Sequence, residues 1–323
     1  HWFGGNGMVH GLRLRGGRAE WYRNRYVRDD DVTRAKGWPT TPGPRHGMGS
    51  GIANTNVISH GGRTLAIVEA GGLPVELTTE LETVAMTNFD GTLPGSFTAH
   101  PKRDPATGEL HAMVYYWEWD HVQYVVVGAD GRVRKTVNVP VPGKIMMHDC
   151  AITEKYVVIF DLPVTFALKV AMESGGFPYF WNPEYVPRVG LLPREGSAQD
   201  VRWMEAPSCY VFHPLNAWDL SDGQVVVDVV RHPRMFDRDP LGPNEGAPSL
   251  DRWVLDPAAG KVRDERIDDE GQEFPRHDER LVGRPIRYGY TAAFGEGVRM
   301  GPLFKHDLLR RTREVHAEGP DRQ

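Results

Sequence analysis

Cysteine is scarce in this chain, which has two cysteines, Cys150 and Cys209, among 323 residues. Two thiols cannot build a disulfide framework, and they suit a reducing compartment. No segment approaches the roughly 18 consecutive apolar residues of a membrane-spanning helix, so we expect no transmembrane span. A formal net charge of -5 provides no basic patch, which argues against nucleic acid as a partner.

Several catalytic signatures are missing as well. The sequence has neither two cysteines two residues apart nor His-Glu-x-x-His, which are the local zinc spacings. It also lacks a serine nucleophile elbow and a glycine-rich phosphate loop. Any metal site must therefore be assembled by the fold from residues that are distant in the chain.

The chain instead contains many short runs rich in β-branched and aromatic residues, which predict strands. Glycine and aspartate pairs between these runs, such as Gly61-Gly62 and Asp130-Gly131, predict hairpin turns. The predicted strands include residues 64–69, 111–116, 122–127, 156–160, 224–230 and 252–255. The pattern predicts an all-β fold, and we find no boundary that would divide residues 1–323 into separate domains.

One type of turn recurs along the chain. Residues 104–110 and 256–262 have nearly the same sequence, and 307–315 is a weaker third copy. Recurrent hairpins predict radial repetition, at about 40 to 45 residues per four-stranded propeller blade. Two long proline- and glycine-rich segments, 163–207 and 231–248, are predicted to cover one face of the propeller as a dome.

Three histidines stand in distinctive settings. His100 lies in Thr-Ala-His-Pro-Lys, His148 in Met-Met-His-Asp-Cys, and His213 in Val-Phe-His-Pro-Leu. Pro101 and Asp149 indicate strand ends at the first two, where propeller blades turn toward the axis. A lone strand histidine is usually a hydrogen-bonded structural residue, and imidazole suits Fe, Zn, Cu and Ni, so these residues alone do not name a metal.

Other candidate ligands lack such a setting. His111 is the spare histidine in a predicted strand, and Cys150 falls two residues after His148, although a free cysteine usually acts as a small buried hydrophobe. We expect the remaining histidines to be surface or structural residues; they are His10, His46, His60, His121, His232, His277, His306 and His316.

Several motifs together resemble the carotenoid cleavage oxygenase family, which includes lignostilbene dioxygenases and the retinoid isomerohydrolase. The similar segments cover most of the chain; they are residues 3–10, 53–56, 65–74, 98–104, 147–156 and 212–217. The resemblance implies a seven-bladed β-propeller with Fe(II) on its axis, under a dome of loops. It implies that His100, His148 and His213 are iron ligands, and that Glu69 and Glu273 are carboxylates supporting them.

The chain departs from the family pattern near its end. The family's fourth histidine, in a His-Gly turn, and its third supporting glutamate, in a Glu-Pro setting, do not occur here. The chain also begins at His1 without a methionine. We therefore expect a single propeller fragment that is truncated at both ends and lacks its closing blade, with unpaired strand edges prone to association.

The resemblance implies a reaction in which dioxygen cleaves one conjugated C=C bond of an apolar polyene to give two carbonyl products. Lignostilbene-cleaving relatives carry a lysine just before the first supporting glutamate, where this chain has Val68. That residue favours a carotenoid or apocarotenoid over a stilbenoid, which is the alternative substrate. A hypothesis of another class is a non-catalytic propeller scaffold, or an inactive fragment without the fourth ligand.

Aromatic residues of the dome segments are candidates for the substrate tunnel. They are Phe166, Phe177, Tyr179, Phe180, Trp181 and Phe236. The stretch 166–181 also contains Leu168, Val170, Ala171 and Met172, an apolar patch that suits either peripheral contact with a membrane or a buried cap. We expect a cytoplasmic protein, either free or associated with a membrane surface.

Overall fold

Strands dominate the structure, a computed structural model that describes residues 4–47, 51–169, 172, 177–239, 242–243, 245–295 and 299–317. These residues form five four-stranded antiparallel sheets and two two-stranded sheets. The five larger sheets follow one another along the chain, and we number them as blades 1 to 5 in chain order.

The first two blades are simple meanders, in which each strand pairs with the next one in sequence. Blade 1 contains β3 (Asn56–His60), β4 (Arg63–Ile67), β5 (Val75–Leu77) and β6 (Thr83–Met86). Blade 2 contains β7 (Lys102–Arg103), β8 (Leu110–Val114), β9 (His121–Val127) and β10 (Val133–Pro140).

Blade 3 is interrupted by a hairpin that belongs to another sheet. Its strands are β11 (Ala151–Ile152), β12 (Tyr156–Asp161), β15 (Arg188–Pro193) and β16 (Arg202–Glu205), while β13 (Val164–Phe166) pairs with β14 (Tyr179–Trp181). A 3₁₀ helix, Ala198–Asp200, joins β15 to β16.

The last two blades return to the meander. Blade 4 contains β17 (Tyr210–Asp219), β18 (Val225–His232), β19 (Ser249–Asp256) and β20 (Lys261–Asp268). Blade 5 contains β21 (Gln272–Arg276), β22 (Tyr288–Gly295), β23 (Arg299–Asp307) and β24 (Thr312–His316), with a 3₁₀ helix, Glu279–Leu281, after β21.

A separate hairpin, β1 (Met8–Arg15) with β2 (Arg18–Tyr26), packs beside blade 1 and is followed by the helix α1 (Asp30–Lys36). The hairpin's arginines pair with two glutamates of the β5–β6 turn, as Arg13 does with Glu80 and Arg25 with Glu82. Asp29 caps α1 by accepting hydrogen bonds from the first backbone N–H groups, and Gly37 ends it in the left-handed conformation.

Burial of the strands shows how the blades pack. Every residue of β8 is buried, as are all but the first of β9, whereas the outer strand β10 mostly alternates between half-buried and exposed positions. Blade 4 repeats the pattern, with β18 almost wholly buried and β20 outermost. Central strands are covered on both faces by neighbouring blades, which favours their valine-rich runs.

The prediction of an all-β propeller is confirmed, but the described residues form five blades rather than seven. The dome segment predicted at 163–207 is also too long, because β15 and β16 in its second half complete blade 3. Those strands are separated from β12 by the inserted β13–β14 hairpin, so their pairing is not visible in local sequence. The connection between β18 and β19 is 233–248, so the first two residues of the predicted segment 231–248 belong to β18.

None of the helices in the described part of the chain combines the length and the apolar character needed to cross a membrane.

A buried histidine joins blades 2 and 3. His111 on β8 is fully buried, with Nδ1 2.6 Å from the Tyr124 hydroxyl and Nε2 2.7 Å from Nη2 of Arg194. Arg194 lies just after β15 and also pairs with Asp104 of blade 2. Burial, and then the charge of Arg194, lower the pKa of His111 to about 4. His111 is therefore a structural residue that is neutral in the folded protein.

We expect His111 to make folding stability depend on pH. Its pKa is about 4 when folded and about 6.5 when unfolded, so only the unfolded chain takes up the proton between these values. Stability falls as pH drops through this window, by up to about 3 kcal/mol, and is unaffected above it. Urea unfolding at pH 7 and pH 4.5 measures the loss.

The His111→Gln variant removes the titrating group and is expected to lose less stability between these two pH values than the wild type. His316→Gln, at an exposed position, is the control. Equal losses in the wild type and His111→Gln would contradict the assignment.

Candidate metal centre

The first strands of three consecutive blades bring three histidines together. His100 lies two residues before β7, His148 lies three residues before β11, and His213 is on β17. One ligand nitrogen of each histidine lies within 4.8 Å of those of the other two. Among the described residues, this is the group of three or more His, Cys, Asp or Glu side chains that lie close enough together to hold a metal ion. His100 and His148 lie in irregular backbone just before a strand begins, rather than at the strand ends predicted there.

The rings contact one another directly. Nε2 of His100 is 2.9 Å from Nε2 of His148, and the ring of His213 lies with its centroid 5.0 Å from the centroid of each. His148 is buried, whereas His100 and His213 are partly exposed to the cavity beside them. Three nitrogen donors thus face a common point.

Glu69, from blade 1, orients His148. The Nδ1–H group of His148 donates to Oε1 of Glu69 at 2.7 Å, and this hydrogen bond joins the first residues of blade 3 to the end of β4 in blade 1. Because Nδ1 carries the proton, Nε2 of His148 presents its lone pair to the histidine group.

The backbone after Glu69 takes an unusual path. Ala70 has φ 59° and Gly71 has φ 121°. At Gly71 a Cβ atom would stand 2.9 Å from the ring of Tyr116, so glycine is required for space as well as for conformation. The left-handed turn redirects the chain immediately after the carboxylate.

Glu273 plays the same part for His213. Nδ1–H of His213, in blade 4, donates to Oε2 of Glu273 on β21 of blade 5 at 2.8 Å. Burial raises the pKa of Glu273, but the imidazoles of His213 and His232 outweigh it and hold that pKa below its usual range. Here too a left-handed residue follows the carboxylate, since Phe274 has φ 56°.

An ion pair braces the two segments that carry His100 and His148. Nζ of Lys102 is 2.8 Å from Oδ2 of Asp149, whose side chain is 3% exposed. Oδ1 of the same carboxylate accepts a hydrogen bond from the backbone N–H of Cys150 at 2.6 Å. The buried carboxylate is therefore paired on both oxygens, and it ties the start of blade 2 to the start of blade 3.

Electrostatics favour neutral imidazole at His100. Burial, and then repulsion from His148 and His213, lower the pKa of His100 well below its usual value. Burial also lowers the pKa of His148, but Glu69 outweighs it, so that this pKa is raised. At neutral pH the group therefore offers unprotonated nitrogen at His100.

The donor set fits a bound divalent metal. Two imidazole nitrogens at about 2.1 Å from one metal and at right angles to each other stand about 3 Å apart, which matches the 2.9 Å between His100 and His148. In the absence of a cation, the same 2.9 Å separation is that of an N–H···N hydrogen bond between the two rings. Carboxylates on the remote nitrogens are the usual partners of metal-binding histidines.

A cavity of about 510 Å³ opens onto the three histidines. Its wall is mainly apolar and aromatic; the lining side chains include Ile52, Val68, Tyr115, Phe177, Phe212, Phe274 and Phe294. A second cavity, of about 430 Å³, reaches His100 and His213 together with Lys102, Arg276 and His277. The histidine group thus lies between an apolar space and a more polar one.

The aromatic residues predicted for the tunnel divide into two sets. Phe177 lines the apolar cavity, and Phe236 packs behind it with ring centroids 4.8 Å apart. Phe166, Phe180 and Trp181 are not among the described residues of this wall. They lie on the β13–β14 hairpin, where Trp181 is 5% exposed and belongs to the core and Phe166 stacks on Trp117.

Sequence reasoning missed His232 and most of the cavity wall. His232, expected to be a surface or structural residue, is buried on β18, and its Nε2 lies 2.8 Å from Oε1 of Glu273, a contact that no local motif predicts. Phe212 adjoins His213, and Val68 and Phe274 adjoin the two glutamates, so proximity to the motifs was the available signal. Cys150 lies outside the nitrogen group, and burial raises the pKa of its thiol to about 12.

Comparison with known proteins identifies relatives over nearly the whole chain. The family model described as retinal pigment epithelial membrane protein matches residues 1–322. The chain is 46% identical to the carotenoid cleavage oxygenase of Mycobacterium tuberculosis, over 99% of this chain and 74% of that protein. It is 30% identical to carotenoid 9,10(9',10')-cleavage dioxygenase 1 of Phaseolus vulgaris, over 95% of this chain and 63% of that protein.

Among solved structures, the lignostilbene dioxygenase of Pseudomonas brassicacearum superposes with a TM-score of 0.86 at 31% identity. The superposition covers 98% of this chain and 73% of that one.

We expect Glu69→Gln and Glu273→Gln each to weaken divalent-metal binding by about 10- to 100-fold. A neutral amide accepts the Nδ1–H group less strongly than a carboxylate, which leaves the histidine less basic and less well oriented. Anaerobic titration with Fe(II), with the metal counted by mass spectrometry, measures the affinity. Glu154→Gln, at an exposed glutamate, is the control, and wild-type affinity in both site variants would contradict the assignment.

Proposed function

Because this chain belongs to the carotenoid cleavage oxygenase family, we propose that it is a non-heme Fe(II) dioxygenase acting on a carotenoid or apocarotenoid. The family matches confirm the resemblance drawn from the sequence motifs. The proposed reaction cleaves one conjugated C=C bond and delivers the two oxygen atoms of O₂ to the two new carbonyl groups.

One observation carries this proposal. Three imidazoles converge within 4.8 Å, and two of them donate their remote N–H to carboxylates, those of the half-buried Glu69 and the buried Glu273. We propose that His100, His148 and His213 hold the iron and that Glu69 and Glu273 orient two of them. Bound there, Fe(II) would supply the reactivity toward dioxygen that no side chain possesses. Neutral imidazoles leave the cation its full charge, whereas carboxylate ligands would reduce it.

The residues of the cavity perform the remaining tasks. Phe177, Phe212 and Phe294 offer an apolar wall next to the histidines, which suits a polyene and excludes water. A long conjugated chain held against this wall has its register fixed, so that one double bond lies beside the histidine group. The overall reaction adds O₂ across the broken bond without net proton transfer, and it therefore needs no general acid or base.

The substrate class rests on Val68. This side chain is half-buried and lines the cavity immediately before Glu69. An apolar residue here suits a hydrocarbon rather than a phenolic hydroxyl. A stilbenoid remains the second candidate, because the lignostilbene dioxygenase superposes on 98% of this chain.

We extend the proposal to the surroundings of the site. The β13–β14 hairpin and the segment 231–248 would form the dome. We propose a cytoplasmic location, and Leu168 and Met172, 59% and 77% exposed, would suit peripheral contact with a membrane surface. Val170 and Ala171 of the same predicted patch lie outside the described residues.

Iron binding is the first expected result. The purified chain should take up about one Fe(II) under anaerobic conditions, and His148→Ala should abolish this because it removes a ligand and the partner of Glu69. His316→Ala, at an exposed histidine, is the control for the substitution.

With oxygen and an apocarotenal, the loaded protein should form two carbonyl products, and ¹⁸O₂ should label both. A folded protein that binds no iron would instead support the scaffold or inactive-fragment hypothesis. Iron uptake without products from either substrate class would overturn the proposed reaction but leave the metal centre intact.

Substrate choice can be tested at Val68. We expect Val68→Lys to lower kcat/KM for an apocarotenal by about tenfold or more, because an ammonium group opposes an apolar chain in this cavity. The same variant should improve turnover of a phenolic stilbene relative to the wild type. Val68→Met, which adds length without charge, is the control, and comparable losses in both variants would point to size rather than polarity.

A further inference from the structure

His232 lies behind the candidate metal centre rather than in it. It is on β18 and 1% exposed, and it does not belong to the three-histidine group. Its Nε2–H group donates to Oε1 of Glu273 at 2.8 Å, and Oε2 of the same carboxylate accepts Nδ1–H of His213 at 2.8 Å. Glu273 thus bridges two histidines, of which only His213 faces the centre.

The two supporting glutamates differ in this respect. Glu69 accepts a hydrogen bond from His148 on Oε1 and interacts with the buried Tyr115 hydroxyl, but it contacts no second histidine among the described residues. Glu273 has a histidine on each oxygen and an additional hydrogen bond from the backbone N–H of Phe274. Of the two glutamates, only Glu273 is therefore hydrogen-bonded to a second histidine.

Packing holds the His232 ring in place. It meets Phe212 edge to face, with centroids 5.3 Å apart and planes at 83°, and it meets Phe294 at 6.3 Å and 81°. Both phenylalanines also line the apolar cavity. With the ring confined between two aromatic side chains, its N–H group remains directed at the carboxylate.

This arrangement fixes the carboxylate as well. A buried carboxylate is costly unless both oxygens are paired, and donors on both oxygens restrict rotation about its last bond. Nε2 of His213 then keeps a lone pair with a fixed direction.

We propose that His232 is a positioning residue of the metal centre, acting through Glu273 on His213. The inference rests on the proposed metal-binding function of His213. The proposed role differs from packing. A substitution that keeps the ring shape but lacks the N–H donor should weaken metal binding, and a substitution that keeps the donor should restore it.

The test compares two substitutions with Co(II) as the probe. His232→Phe retains a ring between Phe212 and Phe294 but removes the donor, and His232→Gln retains an N–H donor at a similar reach. We expect His232→Phe to weaken Co(II) binding by about tenfold or more and to change the Co(II) absorption bands, and His232→Gln to recover most of both.

Controls separate positioning from stability. His306→Phe removes another buried strand histidine, bonded to Thr291 in blade 5, and should lower the melting temperature of the metal-free protein without changing Co(II) affinity. Should His232→Phe not fold, His232→Asn, which is too short to reach Glu273 as the native ring does, takes its place beside His232→Gln.

The possible outcomes separate the positioning role of His232 from the proposed metal binding by His213. Wild-type Co(II) affinity and spectrum in His232→Phe or His232→Asn would overturn the positioning role. In that case, loss of Co(II) binding in His213→Ala would still support the metal centre itself. If folded wild-type protein binds no Co(II), the metal function of His213 fails and the role of His232 fails with it.

Discussion

The candidate site depends on the need of a buried carboxylate for partners. Glu69 and Glu273 lie among apolar side chains, where an unpaired charge would cost several kcal/mol. Each is paired with a histidine of a different blade: Glu69 of blade 1 with His148 at the start of blade 3, and Glu273 of blade 5 with His213 of blade 4. These two hydrogen bonds thus also join blade 1 to blade 3 and blade 4 to blade 5.

The position of the group follows from the order of the strands. Each blade begins with the strand that lies nearest the group, so that His100, His148, His213 and Glu273 arrive there from four consecutive blades. An ion pair between Lys102 and Asp149 then links the segments that carry His100 and His148. Away from the axis, neighbouring blades are joined by other polar contacts, such as those of Arg194 with Asp104 and His111. A radial fold can therefore assemble a compact donor set from residues that are remote in sequence.

The sequence predicts those parts of this arrangement that are encoded locally. Short β-branched runs and glycine turns indicate the strands, and the settings of the three histidines and two glutamates carry the family resemblance. Pairing across insertions is not encoded locally, which is why β15 and β16 were assigned to a dome instead of to blade 3. The expectation of seven blades comes from the family resemblance and not from local sequence, and the cavity wall depends on which side chains the fold brings beside the histidines. His232 has no motif of its own, and its contact with Glu273 depends on how blade 4 packs on blade 5.

The left-handed residues after both glutamates bear on how this site can change during evolution. Ala70 and Phe274 hold a conformation that costs an ordinary side chain on the order of 1 kcal/mol. The backbone next to each carboxylate is therefore held by tertiary packing in a conformation that its own residues disfavour. A shorter acid at position 69 or 273 could not be accommodated by sliding the strand, because the turn that follows would have to unwind. We expect sequence drift to be freer in the cavity wall than at these two turns, so that substrate range can diversify around a conserved donor geometry.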